Sequence, residues 1–261
     1  MRDAVGHERW RAGARTGSAI PPRTGRRYTS AGLVVLILGG CGSNSEPATP
    51  DTWEADIAAF EADDRRQTPA PGSVVFVGSS SIRLWSTLEA DFPGTPVVNR
   101  GFGGSELSDA LRFADRIIIP YRPRMVVVYA GDNDLWNGKS PDRVFEDFRA
   151  LVRTIRAELP QARVAFIAVK PSLARWRIER EIRAANELVR QFAEADSKVD
   201  YIDIFTPMLG EDGRPRPELF VQDGLHLSSR GYELWTSVVA PFLRPDRART
   251  PARRRPLLAG R

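Results

Sequence analysis

Apolar residues recur along this chain in two rhythms. Short, almost unbroken runs occupy 73–77 (Ser-Val-Val-Phe-Val), 96–98 (Pro-Val-Val), 125–130 (Met-Val-Val-Val-Tyr-Ala) and 164–169 (Val-Ala-Phe-Ile-Ala-Val). Runs of that length without polar alternation are expected of strands covered on both faces, as in a parallel sheet. A fifth run, 199–204 (Val-Asp-Tyr-Ile-Asp-Ile), reads as another strand. Between the runs the period changes. Val144, Phe148, Leu151, Ile155 and Leu159 recur at helical spacing behind Ser140, a candidate N-cap, and Pro141, suited to the first helical position. Ile178, Ile182, Ala185, Val189 and Phe192 mark a second helix, and Leu234, Trp235, Val238, Val239 and Phe242 a last one. Strand and helix in alternation predict an α/β fold with a parallel sheet and right-handed crossovers, which by itself names no function.

The ends of the chain break this pattern. Arg23, Arg26 and Arg27 precede an apolar stretch, 31–40, that runs up to Cys41 as Leu38-Gly39-Gly40-Cys41. A basic region, a short apolar region and small residues describe a secretory signal, and the stretch is too short to span a bilayer, which takes about 20 residues. The last four of these residues resemble the lipobox of bacterial lipoproteins, which would make Cys41 the lipidated first residue of the mature chain. The segment before the apolar stretch is long for such a signal, an expectation that the start of translation lies downstream of Met1. Residues 41–50 read as a polar, proline-broken tether, 51–243 as the folded domain, and 244–261 as a disordered Arg/Pro-rich tail. The expected location is the cell envelope, lipid-anchored, at the outer membrane if the source is Gram-negative.

Charge changes the picture less than its total suggests. The net is +5, but residues 1–40 carry seven Arg against two acids and residues 244–261 seven against one, leaving 41–243 at about −6. A phosphate-binding groove should lie on the folded body, so no nucleic-acid partner is expected. Cys41 is the only cysteine, which rules out a disulfide framework.

Candidate chemistry lies where the strands end, the edge at which parallel sheets bind ligands. Gly78-Ser79-Ser80-Ser81 follows the first strand, Asn99-Arg100-Gly101-Phe102-Gly103-Gly104 the second, and Gly131-Asp132-Asn133-Asp134 the third, while Asp223-Gly224-Leu225-His226 precedes the final helix. Four such loops would converge on one edge. A serine hydroxyl needs a neighbouring base to take its proton and a carboxylate to orient that base. His226 is the only histidine outside the leader and has Asp223 three residues before it. Backbone N–H groups at Ser80 and Gly104, with the Asn133 amide, could hold a developing oxyanion. The four blocks together resemble the SGNH/GDSL hydrolase family. That resemblance implies a flavodoxin-like, three-layer α/β/α sandwich with no metal and no organic cofactor. It makes Ser80, Asp223 and His226 the triad, and Ser80, Gly104 and Asn133 the oxyanion hole. Ser79 stands where the family usually has Asp, which leaves Ser79 and Ser81 as rival nucleophiles. The implied activity is hydrolysis of acyl esters on a small molecule, glycan or lipid. Removal of acetyl groups from a polysaccharide, or carbohydrate binding by a catalytically silent domain, are the alternatives.

Other motif readings fail. Ile82 replaces the second glycine of a Gly-x-Ser-x-Gly elbow, and Glu106 the third glycine of a dinucleotide loop. Trp136 and Arg143 occupy ligand positions of a would-be calcium loop that starts at Asp132, and the body has too few His and Cys for zinc. Lys170 could reach a substrate carbonyl or phosphate, or be a solvated loop cation. Trp85, Trp136 and Trp176 could line an acyl or sugar pocket, or belong to core and rim.

Overall fold

The computed structural model describes residues 53–244. The proposed signal, Cys41, the tether and the tail beyond Arg244 lie outside the described residues. Five strands, β1 (Val74–Gly78), β2 (Val97–Gly101), β3 (Met125–Tyr129), β4 (Arg163–Ile167) and β5 (Val199–Ile202), form one sheet in the order β2-β1-β3-β4-β5. Every neighbouring pair is parallel. β1 and β3 are buried along their whole length, as their unbroken apolar runs require. β2 extends past its apolar start through Asn99, Arg100 and Gly101, polar residues that an edge strand can carry. The chain leaves β1 for the edge strand β2 and then returns to β3 on the other side. This change of direction creates a switch point at the carboxyl ends of β1 and β3, the place where open α/β sheets bind ligands.

Helices α1 (Glu54–Arg66), α2 (Ser80–Arg83), α3 (Leu88–Asp91), α4 (Leu107–Arg112), α5 (Ala114–Ile117), α6 (Asp132–Trp136), α7 (Pro141–Glu158), α8 (Glu179–Ala195) and α9 (Ser229–Val239) complete the domain. α7 begins as expected: Ser140 Oγ accepts from the Arg143 N–H at 3.2 Å, and Pro141 follows. Its stripe of Val144, Phe148, Leu151 and Ile155 is fully buried. α4, α5, α7 and α8 pack on one another, with α1 against α5. On the other side Trp85, between α2 and α3, meets Tyr232 and Trp235 of α9. The result is three layers, helices–sheet–helices. α1 is held by Arg100, whose guanidinium pairs with Asp64 and donates to Tyr121 Oη at 2.7 Å.

Candidate active site

Gly78 closes β1 against β3. Its φ is +144°, and a Cβ there would lie 1.8 Å from the Tyr129 carbonyl oxygen, so only glycine fits. The chain then turns sharply. Ser79 donates its N–H to that same carbonyl at 3.0 Å, and Ser80 becomes the first residue of α2 rather than a loop residue as expected. Asn99 fixes this turn from the neighbouring strand. Its Nδ2 donates to the Ile82 carbonyl at 2.7 Å while its Oδ1 accepts from the Gly101 N–H at 2.9 Å. Asn99 stands in the second strand-end block, but only the fold shows this positioning role.

Asp223 and His226 arrive from far along the chain and meet this serine. Ser80 Oγ lies 3.1 Å from His226 Nε2, and His226 Nδ1 lies 2.6 Å from Asp223 Oδ2. The other carboxylate oxygen of Asp223 accepts from the backbone N–H of Leu225 at 2.8 Å and of His226 at 2.9 Å. Burial pushes this carboxyl up, but the hydrogen bonds from the His226 ring and the two N–H groups outweigh it and hold the pKa at about 2. An ionised carboxylate can only accept, so the proton of the neutral imidazole sits on Nδ1 and Nε2 is left to accept from the serine hydroxyl. The two residues follow β5 at a distance: short 3-10 turns at Thr206–Met208 and Pro217–Leu219 intervene, and α9 starts earlier than its apolar stripe, at Ser229.

The candidate oxyanion donors come from three separate segments: Ser80 opens α2, Gly104 follows β2, and Asn133 lies in α6. Among the described residues the backbone N–H groups of Ser80 and Gly104 have no intramolecular acceptor. Gly104 has φ +83°, and a Cβ on it would meet the Trp53 ring at 3.2 Å. Asn133 sits in the first turn of α6, with Nδ2 donating to the Ser105 carbonyl at 2.9 Å. Asp134 beside it is buried, accepts from the Leu107 N–H at 3.2 Å and from Lys139 Nζ at 3.0 Å, and so ties α6 to α4. Lys139 also reaches Glu106 at 2.9 Å and Asp147 at 3.1 Å. Burial pushes the Asp134 carboxyl up to about 6 in spite of the lysine.

Other candidates fall to one of their readings or to neither. Ser79 and Ser81 are each 1% exposed, and neither hydroxyl has a hydrogen-bond partner, His226 included. Lys170 is neither a solvated cation nor a residue open to substrate. It is 1% exposed and donates at 2.8 Å to both Asp132 Oδ2 and Tyr129 Oη. Trp85 is core, packed edge-on against Phe76 and Phe92. Trp136 is 36% exposed, with Arg177 stacked 4.1 Å from its ring, and so belongs to the rim. Trp176 lies under the Arg214 guanidinium, 5.5 Å from its ring.

The sheet order and layering are those of the GDSL/SGNH hydrolase fold. A GDSL-like lipase from Bacteroides thetaiotaomicron superposes with a TM-score of 0.63 at 22% identity, over 72% of this chain and 97% of that one. An acetylxylan esterase from Geobacillus stearothermophilus superposes with a TM-score of 0.54 at 15% identity, over 67% and 95%. Sequence similarity goes further. The platelet-activating factor acetylhydrolase IB subunit alpha1 of Bos taurus is 30% identical over 189 residues, 69% of this chain and 77% of that protein. The profile of the GDSL-like lipase/acylhydrolase family matches residues 72–234, and the chain belongs to that family.

Proposed function

We propose that the protein is a serine ester hydrolase with Ser80 as nucleophile. The observation that carries this is the relay Ser80–His226–Asp223, at 3.1 Å and 2.6 Å, in a domain of acylhydrolase type. As Ser80 Oγ attacks the ester carbonyl carbon, its proton passes to His226 Nε2. The carbonyl oxygen takes up the negative charge and is held by the N–H groups of Ser80 and Gly104 and by Asn133 Nδ2. The tetrahedral intermediate collapses with cleavage of the C–O bond, and the imidazolium protonates the departing alkoxide. Water then attacks the acyl-enzyme and gives its proton to Nε2. Collapse returns a proton to Ser80 Oγ and releases the acid. Asp223 stays ionised throughout and stabilises the imidazolium. The joined triad argues against a silent carbohydrate-binding domain, for which a serine–imidazole hydrogen bond has no use.

For the substrate we infer a small acyl group, acetyl first. Two similar proteins of different substrate type, the acetylhydrolase subunit and the acetylxylan esterase, both bear acetyl in their names. Initial rates on nitrophenyl esters from acetyl to palmitoyl, beside acetylated xylan, test the inference. Acetyl preference is expected, and faster turnover of palmitoyl than acetyl esters would overturn it. Faster release from xylan than from nitrophenyl acetate would make the protein a polysaccharide deacetylase. Ser80→Ala should abolish hydrolysis while Ser79→Ala and Ser81→Ala retain much of it. A fluorophosphonate probe should label Ser80, and a label on either neighbour would refute the assignment. We further propose that Cys41 is lipidated and anchors the enzyme in the cell envelope, on the strength of the 38–41 motif.

A further inference from the structure

Asn133 is held at both ends of its amide. While Nδ2 donates to the Ser105 carbonyl, Oδ1 accepts from Arg175 Nη1 at 2.9 Å. A carbonyl oxygen can only accept and a guanidinium can only donate, so these two partners fix which end of the amide is which. Arg175 comes from the segment after β4, outside the four motif blocks, and its side chain is only 12% exposed. It is itself braced. Nη1 lies 3.4 Å from Asp132 Oδ2, the oxygen that also takes the bond from Lys170, and the Trp136 ring centre is 5.4 Å from its Cζ. Burial would push the Asp132 carboxyl up, yet Lys170 and Arg175 together hold it down and ionised. A buried lysine and a part-buried arginine therefore share one carboxylate. Of the pair, Lys170 turns its remaining reach to Tyr129, and Arg175 turns its own to Asn133.

We propose that Arg175 is a positioning residue for the oxyanion hole, acting through the Asn133 amide; this rests on the reading of Asn133 as an oxyanion donor. One Nδ2 hydrogen is committed to Ser105. With the amide plane fixed at Ser105 and Arg175, the second hydrogen has a single direction in which to point. The guanidinium also forbids the flipped amide, in which NH₂ would face its N–H. A cationic donor on Oδ1 draws electron density away from Nδ2, making its free N–H a stronger donor. Both effects matter most once full charge has developed on the substrate oxygen, so they belong to turnover rather than to ground-state binding.

The test is a double-mutant cycle on the full-length protein, with Arg175→Met, Asn133→Ala and the pair, assayed on nitrophenyl acetate. Arg175→Met should lower kcat roughly 10-fold to 30-fold, less than the loss of a whole donor, with KM within about twofold. In the Asn133→Ala background the same change should cost almost nothing, since its target is gone. Arg175→Lys, which keeps the charge, should recover part of the loss. An equal loss in both backgrounds, or a loss confined to KM, would mean that Arg175 touches the substrate itself. Unchanged kcat in Arg175→Met would mean that it does neither. If Arg175→Met melts far below wild type, the cycle is run with Arg175→Lys, where the same non-additivity is required. Failure of Asn133→Ala to lower kcat would instead sink the oxyanion reading on which the proposal stands.

Discussion

At the scale of single residues, the site is a set of side chains whose hydrogen-bonding options have been reduced to one each. Asp223 accepts three bonds and settles the tautomer of His226. Asp223→Asn should therefore leave the ring in place but favour the wrong tautomer, lowering kcat by about 10⁴ if it behaves as in other serine triads. Near-normal turnover in that variant would remove the carboxylate from the mechanism. Asn133→Ala should reduce kcat by about 10²–10³ with little change in KM, the usual result of losing one oxyanion donor. A raised KM with normal kcat would make Asn133 a substrate-binding residue. Gly104 offers only a backbone N–H, at a left-handed φ of +83° and with Trp53 against the space where a Cβ would go. Gly104→Ala must accept backbone strain of about 1–3 kcal/mol and push the Trp53 ring aside. Both a lower melting temperature and a lower kcat are expected, and loss of stability alone would leave Gly104 with a purely structural role.

At the scale of elements, the short helix α6 places Asn133, and its neighbour Asp134 pins that helix to α4 through the Leu107 N–H and Lys139. The pKa of about 6 at Asp134 gives this anchor a pH dependence. The folded value lies above the ordinary carboxylate value of about 3.9, so the folded protein holds the proton more tightly than the unfolded chain. The stability linked to Asp134 is fully present below about pH 4 and is lost as pH rises through about 6. Urea unfolding of wild type and Asp134→Asn between pH 4 and 7 should show this contribution in the wild type alone; parallel curves would contradict it. None of this could be read from the order of residues, because Asp134, Leu107 and Lys139 are joined only by folding. The same holds for Lys170, whose two partners lie about 40 positions earlier and whose burial reversed both readings of it. Where one segment carries its own signal, the sequence was legible. The unbroken apolar runs gave β1, β3 and β4, and the stripe from Val144 gave α7 with its cap. α1 escaped because Ile57 is its one fully buried residue, too little to make a period. α2 and α6 escaped because a turn or so of helix opening on Ser or Asp looks like a loop.

At the scale of the whole molecule, charge and apolar character are divided between the domain and its flanks. Residues 41–243 hold about −6 while the flanks are strongly basic, so the domain has no electrostatic reason of its own to approach an anionic bilayer. No helix among the described residues is long and apolar enough to cross a membrane. Attachment, in the envelope enzyme proposed above, then falls to lipid on Cys41. A single acyl chain holds a protein only marginally, whereas two or more anchor it stably. The mature product should accordingly begin at a multiply acylated Cys41 and sediment with membranes. Cys41→Ser should release it from that fraction without loss of specific activity, because the candidate relay and oxyanion donors all come from residues 80–226. Labelled palmitate fed to expressing cells should mark the wild type and not the mutant. Wild type that takes up no label and keeps Met1 in the soluble fraction would show that the leader is not a signal, and would move the esterase out of the envelope.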